Sequence, residues 1–240
     1  MKLIVCENYD EMSAVGAKIV CEQIEKKPDC VLGLPTGSTP VGMYKKLAEL
    51  NKEGKVDFSK VTTFNLDEYY PILRSNNQSY RYFMDDNLFN HINIPYENTH
   101  VLNGEAKDAD AECAAYEKMI DNAGGIDLQV LGIGRNGHIG FNEPGTPSDS
   151  KTHRVELTDN TREANARFFA SKDEVPTASL TMGIGTILKA RKIIMLVNGE
   201  NKKEALASLL AEKADMSNPA NALRVHNDVT IICTKDAYEK

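Results

Sequence analysis

The segment with the clearest potential for chemistry is a glycine-rich stretch that carries His138 near its middle. Histidine titrates near neutral pH, so one imidazole can both accept and donate a proton during a reaction. Glu143 follows shortly afterwards and could fold back to orient that imidazole, as an acidic partner does in catalytic triads. The alternative is a surface histidine in a flexible loop. The glycine spacing and the nearby acid favour a working acid–base site.

The same stretch matches the G-x-G-x-x-G pattern of dinucleotide-binding proteins through Gly132, Gly134 and Gly137. That pattern requires a helix to begin within it, and Gly140 and Pro144 preclude a long helix here. We therefore reject a nicotinamide site. The glycines instead allow the backbone to approach a ligand closely.

A second candidate is Asp67, which follows the apolar run 61–66. A carboxylate just past the end of a buried strand can face a ligand crevice and abstract a proton. The alternative is that Asp67 or Glu68 caps a following turn, which is a common place for an acidic residue.

The third candidate is the loop that follows the apolar run 30–34 and contains Gly37, Ser38, Thr39 and Pro40. Gly37 permits a tight turn, Ser38 or Thr39 can cap the next helix, and Pro40 suits its first position. A helix N-terminus with free N–H groups and hydroxyls is also an anion site. The loop is not a Walker A motif, because no Gly-Lys-Ser/Thr follows. An ordinary cap and a phosphate loop both remain open.

These segments all follow predicted strands in a chain where strands and helices alternate. The apolar runs 2–6, 30–34, 61–66, 128–131, 193–197 and 229–233 predict strands, and segments of helical period lie between them. Continuous apolar strands indicate a buried, mostly parallel sheet. We expect a three-layer, doubly wound α/β fold in one domain over 1–240. A flap at about 144–176, rich in Pro, Ser, Thr and charge, could be mobile.

Composition narrows the function classes. The formal charge of −7, with no basic run, argues against nucleic acid and anionic membranes as partners. No stretch has the length of a membrane span or a signal sequence. The five cysteines are scattered and lack a C-x-x-C pair, which indicates reduced thiols in a cytoplasmic protein. The five histidines lack metal-ligand spacing, so we expect no metal site.

Taken together and in order, the three segments resemble those of glucosamine-6-phosphate deaminases. The matching stretches are residues 32–40, 64–69, 137–144, 161–169 and 180–186. The Asn-Leu-Asp-Glu-Tyr and Gly-His-Ile-Gly-Phe-Asn-Glu-Pro segments are highly specific, and the resemblance covers nearly the whole chain.

The resemblance implies conversion of glucosamine 6-phosphate and water into fructose 6-phosphate and ammonia, without a cofactor. It implies that Asp67 moves the proton between C2 and C1, that His138 opens the sugar ring, and that Glu143 supports His138. These roles agree with the chemistry, because C2 becomes a carbon acid only after the ring opens to a carbonyl.

The resemblance also implies a phosphate site formed by Gly37, Ser38 and Thr39 with Arg167 and Lys202. Without it, both cations would be interpreted as solvated surface charges. The phosphate does not react; its binding aligns the sugar with Asp67.

Two departures from the family pattern matter. Asn136 stands where some members carry an aspartate; it can orient His138 or bind a hydroxyl but cannot accept a proton, so ring opening must depend on His138 and Glu143. Longer members have additional C-terminal sequence linked to hexamers and to activation by an acetylated amino-sugar phosphate. We expect a monomer or small homo-oligomer without that activation.

Two competing functions remain. A 6-phosphogluconolactonase shares the fold and the phosphate site but needs no base at C2, so the segment around Asp67 argues against it. A non-catalytic sugar-phosphate sensor should carry a DNA-binding module, and no such module is visible.

Overall fold

A seven-stranded parallel sheet forms the centre of the protein. The computed structural model describes residues 1–157, 162–163, 166, 169, 171–213 and 218–239. Every neighbouring pair of strands in this sheet is parallel. In spatial order the strands are β1 (Lys2–Cys6), β10 (Val229–Thr234), β9 (Lys192–Val197), β6 (Leu128–Leu131), β2 (Val31–Leu34), β3 (Thr62–Asn65) and β5 (Thr99–His100).

Helices cover both faces of this sheet, which explains why its inner strands are apolar on both sides. Consecutive strand residues point to opposite cores, so Ile193 packs in one hydrophobic cluster and Ile194 in the other. One face carries α1 (Tyr9–Lys26), α2 (Val41–Lys52) and α3 (Tyr80–Asn87). The other carries α4 (Ala109–Asn122), α5 (Ile184–Leu188), α6 (Lys203–Leu210) and α7 (Lys235–Tyr238).

The order of the strands places a topological switch point between β2 and β6. From β2 the chain continues to β3 and β5 on one side, and then returns to β6 on the other side of β2. Ligands of open α/β sheets bind outside the carboxyl ends of the strands at such a point. The loops after β2 and β6, with the residues after β3, are therefore in the position where a ligand site is expected.

A second, antiparallel sheet was not predicted. It consists of β7 (His153–Glu156), β8 (Ala178–Thr181) and β4 (Asp67–Tyr70), with β8 in the centre. These strands are short and contain polar residues, so they lack the long apolar runs by which the parallel strands were recognised. Strand β4 begins directly beyond the carboxyl end of β3, so the small sheet continues from the end of that strand.

The predicted fold class, a doubly wound mostly parallel sheet with helices on both faces, is confirmed. The six predicted strands lie within one residue of observed strands at each end. Residues 160–169, one of the segments of helical period, lie mostly outside the described residues. The flap at about 144–176 stays a prediction. Among the described residues, no helix has both the length and the apolarity needed to cross a membrane.

Candidate active site

Asp67 is the first residue of β4 and lies two positions beyond the end of β3. Its backbone pairs with Thr181 of β8, which fixes its position just beyond the carboxyl end of β3. The side chain is almost fully buried, with 6% exposure. Burial, with a smaller contribution from the neighbouring Glu68, raises the pKa of Asp67 to about 8. A carboxylate with a pKa raised in this way is a stronger base than an exposed one.

The carboxylate of Glu68, unlike that of Asp67, is bonded to backbone N–H groups. Its carboxylate accepts backbone N–H groups of Tyr69, Tyr80 and Arg81 at 2.7–2.9 Å. Tyr80 and Arg81 begin α3, so Glu68 caps that helix and ties it to β4. Burial raises the pKa of Glu68 to about 7, and the three N–H donors act in the opposite direction. The capping role considered for this pair of acids therefore belongs to Glu68.

His138 is held by a short relay of polar side chains. The Asn136 amide Nδ2 donates to Glu143 Oε2 at 2.5 Å, and Asn136 Oδ1 lies 2.7 Å from His138 Nδ1. A carboxylate only accepts hydrogen bonds, so the amide must present its oxygen to the imidazole. His138 Nδ1 must then carry the proton that it donates to Asn136. In neutral His138 the other nitrogen, Nε2, is therefore an unprotonated base.

Glu143 also lies close to the imidazole, with Oε1 3.5 Å from His138 Nδ1. Burial lowers the pKa of His138; Glu143 opposes that shift and Lys202 adds to it. The predicted supporting role of Glu143 is thus compatible with its position, although Asn136 lies between them as the direct hydrogen-bond partner.

Two glycines explain how the loop after β6 packs closely against both His138 and Asp67. The imidazole covers Gly134 so closely that a Cβ there would lie 2.2 Å from His138 Cε1. Gly140 has φ +58°, and a Cβ there would lie 2.9 Å from Thr181 Oγ1 and 3.4 Å from Asp67 Oδ2. The loop backbone thus runs against the Asp67 carboxylate. The expectation that this stretch contains no long helix is confirmed.

Aromatic rings form one wall beside Asp67, which sequence reasoning missed. Ring centroids of Tyr69 lie 4.8 Å from Tyr80 and 6.0 Å from Phe141. Burial raises the pKa of Tyr69 to about 12, and the nearby Asp67 contributes to that shift. These rings thus form part of the surroundings in which the Asp67 carboxylate is buried. Two of the rings in this wall belong to segments singled out in the sequence: Tyr69 in Asn-Leu-Asp-Glu-Tyr and Phe141 in Gly-His-Ile-Gly-Phe-Asn-Glu-Pro.

The loop after β2 is open at its surface. Gly37 has φ +91° with no atom within 4 Å of a Cβ placed there, and Ser38 is exposed. The prediction that Ser38 or Thr39 caps the next helix is wrong: α2 has no side-chain cap, and Pro40 occupies the cap position rather than the first helical position. The two hydroxyls are therefore not used for capping.

Of the two predicted cations, the structure places Lys202, whereas Arg167 lies outside the described residues. Lys202 ends the 3₁₀ turn after β9 and is partly buried. Burial lowers its pKa, and the charge of Arg135 lowers it further. Arg135, which sequence reasoning did not select, thus adds a second positive charge near Lys202 and His138. Paired cations of this kind attract an anion.

The scan of protein-family models matches residues 8–232 to a family described as glucosamine-6-phosphate isomerases/6-phosphogluconolactonase. A curated relative from Thermoanaerobacter sp. (strain X514), named glucosamine-6-phosphate deaminase, is 55% identical over 99% of this chain and 94% of its own. Another of that name from Clostridium novyi (strain NT) is 53% identical over the full length of both chains.

Solved structures agree with these matches. A protein described as a monomeric glucosamine-6-phosphate deaminase superposes with a TM-score of 0.96 and 46% identity, over 99% of this chain and 98% of the other. The 6-phosphogluconolactonase of Trypanosoma brucei superposes with a TM-score of 0.78 at 21% identity, over 98% and 97% of the two chains, and shares the fold. The resemblance inferred from the motifs is confirmed, and the chain belongs to the glucosamine-6-phosphate isomerase/6-phosphogluconolactonase family.

Proposed function

We propose that this enzyme converts glucosamine 6-phosphate and water into fructose 6-phosphate and ammonia. The observation that carries the proposal is the placement of two proton-transfer groups around one loop. Neutral His138 carries its proton on Nδ1, which donates to Asn136, so its Nε2 is unprotonated. Gly140 of the same loop lies against the Asp67 carboxylate. The relatives named above as deaminases match essentially the whole chain, which supports the same reaction.

Ring opening is assigned to His138. Neutral His138 takes the proton of the anomeric hydroxyl at Nε2 and returns a proton to the ring oxygen as the ring C–O bond breaks. The product is an open-chain aldehyde at C1. The fall in the pKa of His138 that burial produces keeps the imidazole neutral and ready to accept the proton.

Isomerisation is assigned to Asp67. With a carbonyl at C1, the C2 proton becomes acidic, and the Asp67 carboxylate removes it and then delivers a proton to C1. During this transfer the C2 nitrogen gives up a proton and the C1 oxygen gains one, so that C1 becomes a CH2OH group and C2 an iminium. The iminium then adds water and loses ammonia to give the ketose. A positively charged nitrogen at C2 of the bound substrate favours the ionised form of Asp67, whose pKa is about 8 before binding.

The phosphate of the substrate is assigned to Gly37, Ser38 and Thr39, with Lys202 and Arg167. Support comes from the open loop at the start of α2 and from the partly buried Lys202 beside Arg135. The positive end of the helix dipole at the N-terminus of α2 favours a dianion. This group supplies binding energy and alignment rather than chemistry.

Asn136 determines how the ring-opening relay works in this chain. It cannot take a proton from His138, so it acts by holding the Nδ1–H tautomer and by fixing Glu143 through its amide. The charge of Glu143 then stabilises the imidazolium that forms during ring opening.

We also propose that the enzyme works in the cytoplasm as a monomer, with the sugar phosphate rather than nucleic acid or membrane as its partner. The description of the relative at 46% identity as monomeric supports the monomeric state. All five cysteines are free thiols, which suits a reducing compartment. Sedimentation of the purified chain tests the assembly, and a hexamer would contradict it.

The decisive experiment follows ammonia and fructose 6-phosphate during incubation with glucosamine 6-phosphate and no added metal. We expect both products in equal amounts. Asp67→Asn should lower kcat by at least about 100-fold while binding is retained, and Asp121→Asn, on the exposed side of α4, is the matched control. Survival of turnover in Asp67→Asn, or hydrolysis of a sugar lactone without ammonia, would refute the proposal.

A further inference from the structure

The hydroxyl of Tyr9 is inserted between the loop after β2 and the first turn of α2. It donates to the Ser38 carbonyl at 3.0 Å and accepts the backbone N–H of Gly42 at 2.8 Å. Ser38 and Gly42 have the spacing of the carbonyl and the N–H that bond directly in an α-helix. The phenol thus replaces one helical hydrogen bond by a two-bond bridge. Side chains that enter a helical ladder in this way open it locally.

The bridge is part of a close contact between α1 and α2 and not an isolated surface bond. A Cβ at Gly42 would lie 2.8 Å from Tyr9 Cε1 and 2.4 Å from Ser13 Oγ, so only glycine lets the two helices come this close. Tyr9 itself is fixed as the first residue of α1, because the Asn8 side chain caps that helix by accepting the N–H of Glu11.

An open first turn matters for an anion site. If Gly42 N–H bonded directly to the Ser38 carbonyl, the segment from Ser38 onward would be drawn into α2 as another helical turn. The bridge instead holds Ser38 outside the helix, next to Gly37 with its positive φ of +91°. Gly37 and Ser38 then stay exposed at the surface, where an anion can reach them, rather than becoming part of a helical ladder.

We propose that Tyr9 is a positioning residue for substrate binding, which holds the Gly37–Thr39 loop in the open form that accepts the phosphate. This inference rests on the proposed function, since it concerns the phosphate site of that reaction. Its hydroxyl gives its one proton to Ser38 and accepts from Gly42, so Tyr9 acts through the loop. It takes no part in the proton transfers at Asp67 and His138.

The test is Tyr9→Phe, which removes the bridging oxygen and keeps the ring. We expect KM for glucosamine 6-phosphate and the inhibition constant of inorganic phosphate to rise together by about five- to thirty-fold, as for the loss of one to two hydrogen bonds. The value of kcat should stay within about two-fold of the wild type, because uniform binding is lost and not transition-state contacts. Tyr82→Phe, whose ring is 43% exposed on α3, is the matched control and should change neither constant.

A rise in KM without a rise in the phosphate inhibition constant, or a fall in kcat alone, would overturn the proposal. So would unchanged constants in Tyr9→Phe. Thermal unfolding with and without phosphate separates a stability defect from a binding defect: a lower Tm with an unchanged shift on phosphate addition also rejects it. If the wild type neither releases ammonia nor is inhibited by phosphate, the proposed function has failed rather than the role of Tyr9.

Discussion

Gly140 lies against the carboxylate of Asp67, with a Cβ position 3.4 Å from Oδ2, and this contact joins the loop of His138 to the proposed base. The two groups come from segments more than 60 residues apart and meet because β3 and β6 lie on either side of β2 and end at the same edge of the parallel sheet. The loop can approach so closely only because position 140 lacks a side chain.

Gly140→Ala should therefore lower kcat by about 10- to 100-fold, since a displacement near 1 Å at a reacting group has effects of that order. The added methyl meets Thr181 Oγ1 and the carboxylate, and the backbone must also hold φ +58°. Steady-state kinetics with purified protein measures this. Gly54→Ala is the matched control: it has φ +70° but no atom within 4 Å. Equal kinetic losses in both variants would mean that backbone strain, not the contact with Asp67, is responsible.

The relay through Asn136 leads to a second prediction. Asn136→Asp places a carboxylate against the Nδ1 side of His138 and beside Glu143, so the pKa of His138 should rise. His138 must be neutral to begin ring opening. The acidic break of the kcat/KM profile that belongs to His138 should therefore move to higher pH by about one unit.

A pH–rate profile over pH 5–9 measures that shift. Below the break the slope of log kcat/KM should steepen, because Asp67 and His138 are then both protonated. Asn122→Asp, at the exposed end of α4, adds the same charge away from the site and should leave the break in place. An unmoved break in Asn136→Asp would show that His138 does not limit ring opening.

Glu68 gives a third prediction because its charge acts on Asp67. Asp67 must be ionised to remove the C2 proton, so kcat/KM should fall as pH decreases through the Asp67 pKa of about 8. Glu68→Gln removes the adjacent negative charge and should move this acidic limb to lower pH. The exposed Glu53→Gln is the control.

The same substitution should also destabilise the fold by about 1–3 kcal/mol, since a glutamine amide at position 68 cannot accept all the N–H groups that the Glu68 carboxylate accepts. Denaturant unfolding above pH 8, where Glu68 is ionised, measures this loss. Suppose that Glu68→Gln unfolds at a lower denaturant concentration while the acidic limb of its kcat/KM profile stays at the wild-type pH. That result would show that Glu68 stabilises α3 and does not act on Asp67.

The parallel sheet could be predicted from the sequence, because long apolar runs have clear local signals. Local signals also selected Asp67, His138 and Glu143 as candidates, and their roles stay predictions. The contacts that hold the site residues in place could not be predicted in this way. The pairing of Asp67 with Thr181 depends on β8, a strand of four residues with polar members, and the bridge from Tyr9 to Ser38 joins segments whose proximity only the packed helices determine. The helix cap expected from Ser38 or Thr39 is missing for the same reason. The hydroxyl of Tyr9, on another helix, accepts the N–H of Gly42 that a local side chain was expected to accept.

The buried carboxylates should make the protein less stable at alkaline pH, and Asp67→Asn should reverse part of that effect. Folding raises the pKa of Asp67 from 3.8 to about 8 and that of Glu68 from 4.5 to about 7. Between the unfolded and folded values the folded state binds more protons than the unfolded state, so the free energy of unfolding must fall as pH rises from about 4 to about 8.

Asp67→Asn removes one of these ionisations. We expect the variant to be more stable than the wild type at pH 8 by at least about 1 kcal/mol, with the difference shrinking towards pH 4, since one unit of pKa shift corresponds to about 1.4 kcal/mol. Urea unfolding of both proteins at pH 5 and pH 8 measures it, with Asp121→Asn as the exposed control. A pH-independent difference would mean that Asp67 is already ionised in the folded protein at pH 5, and that burial does not raise its basicity. Greater stability combined with lost turnover would identify burial of Asp67 as a stability cost that the reaction requires.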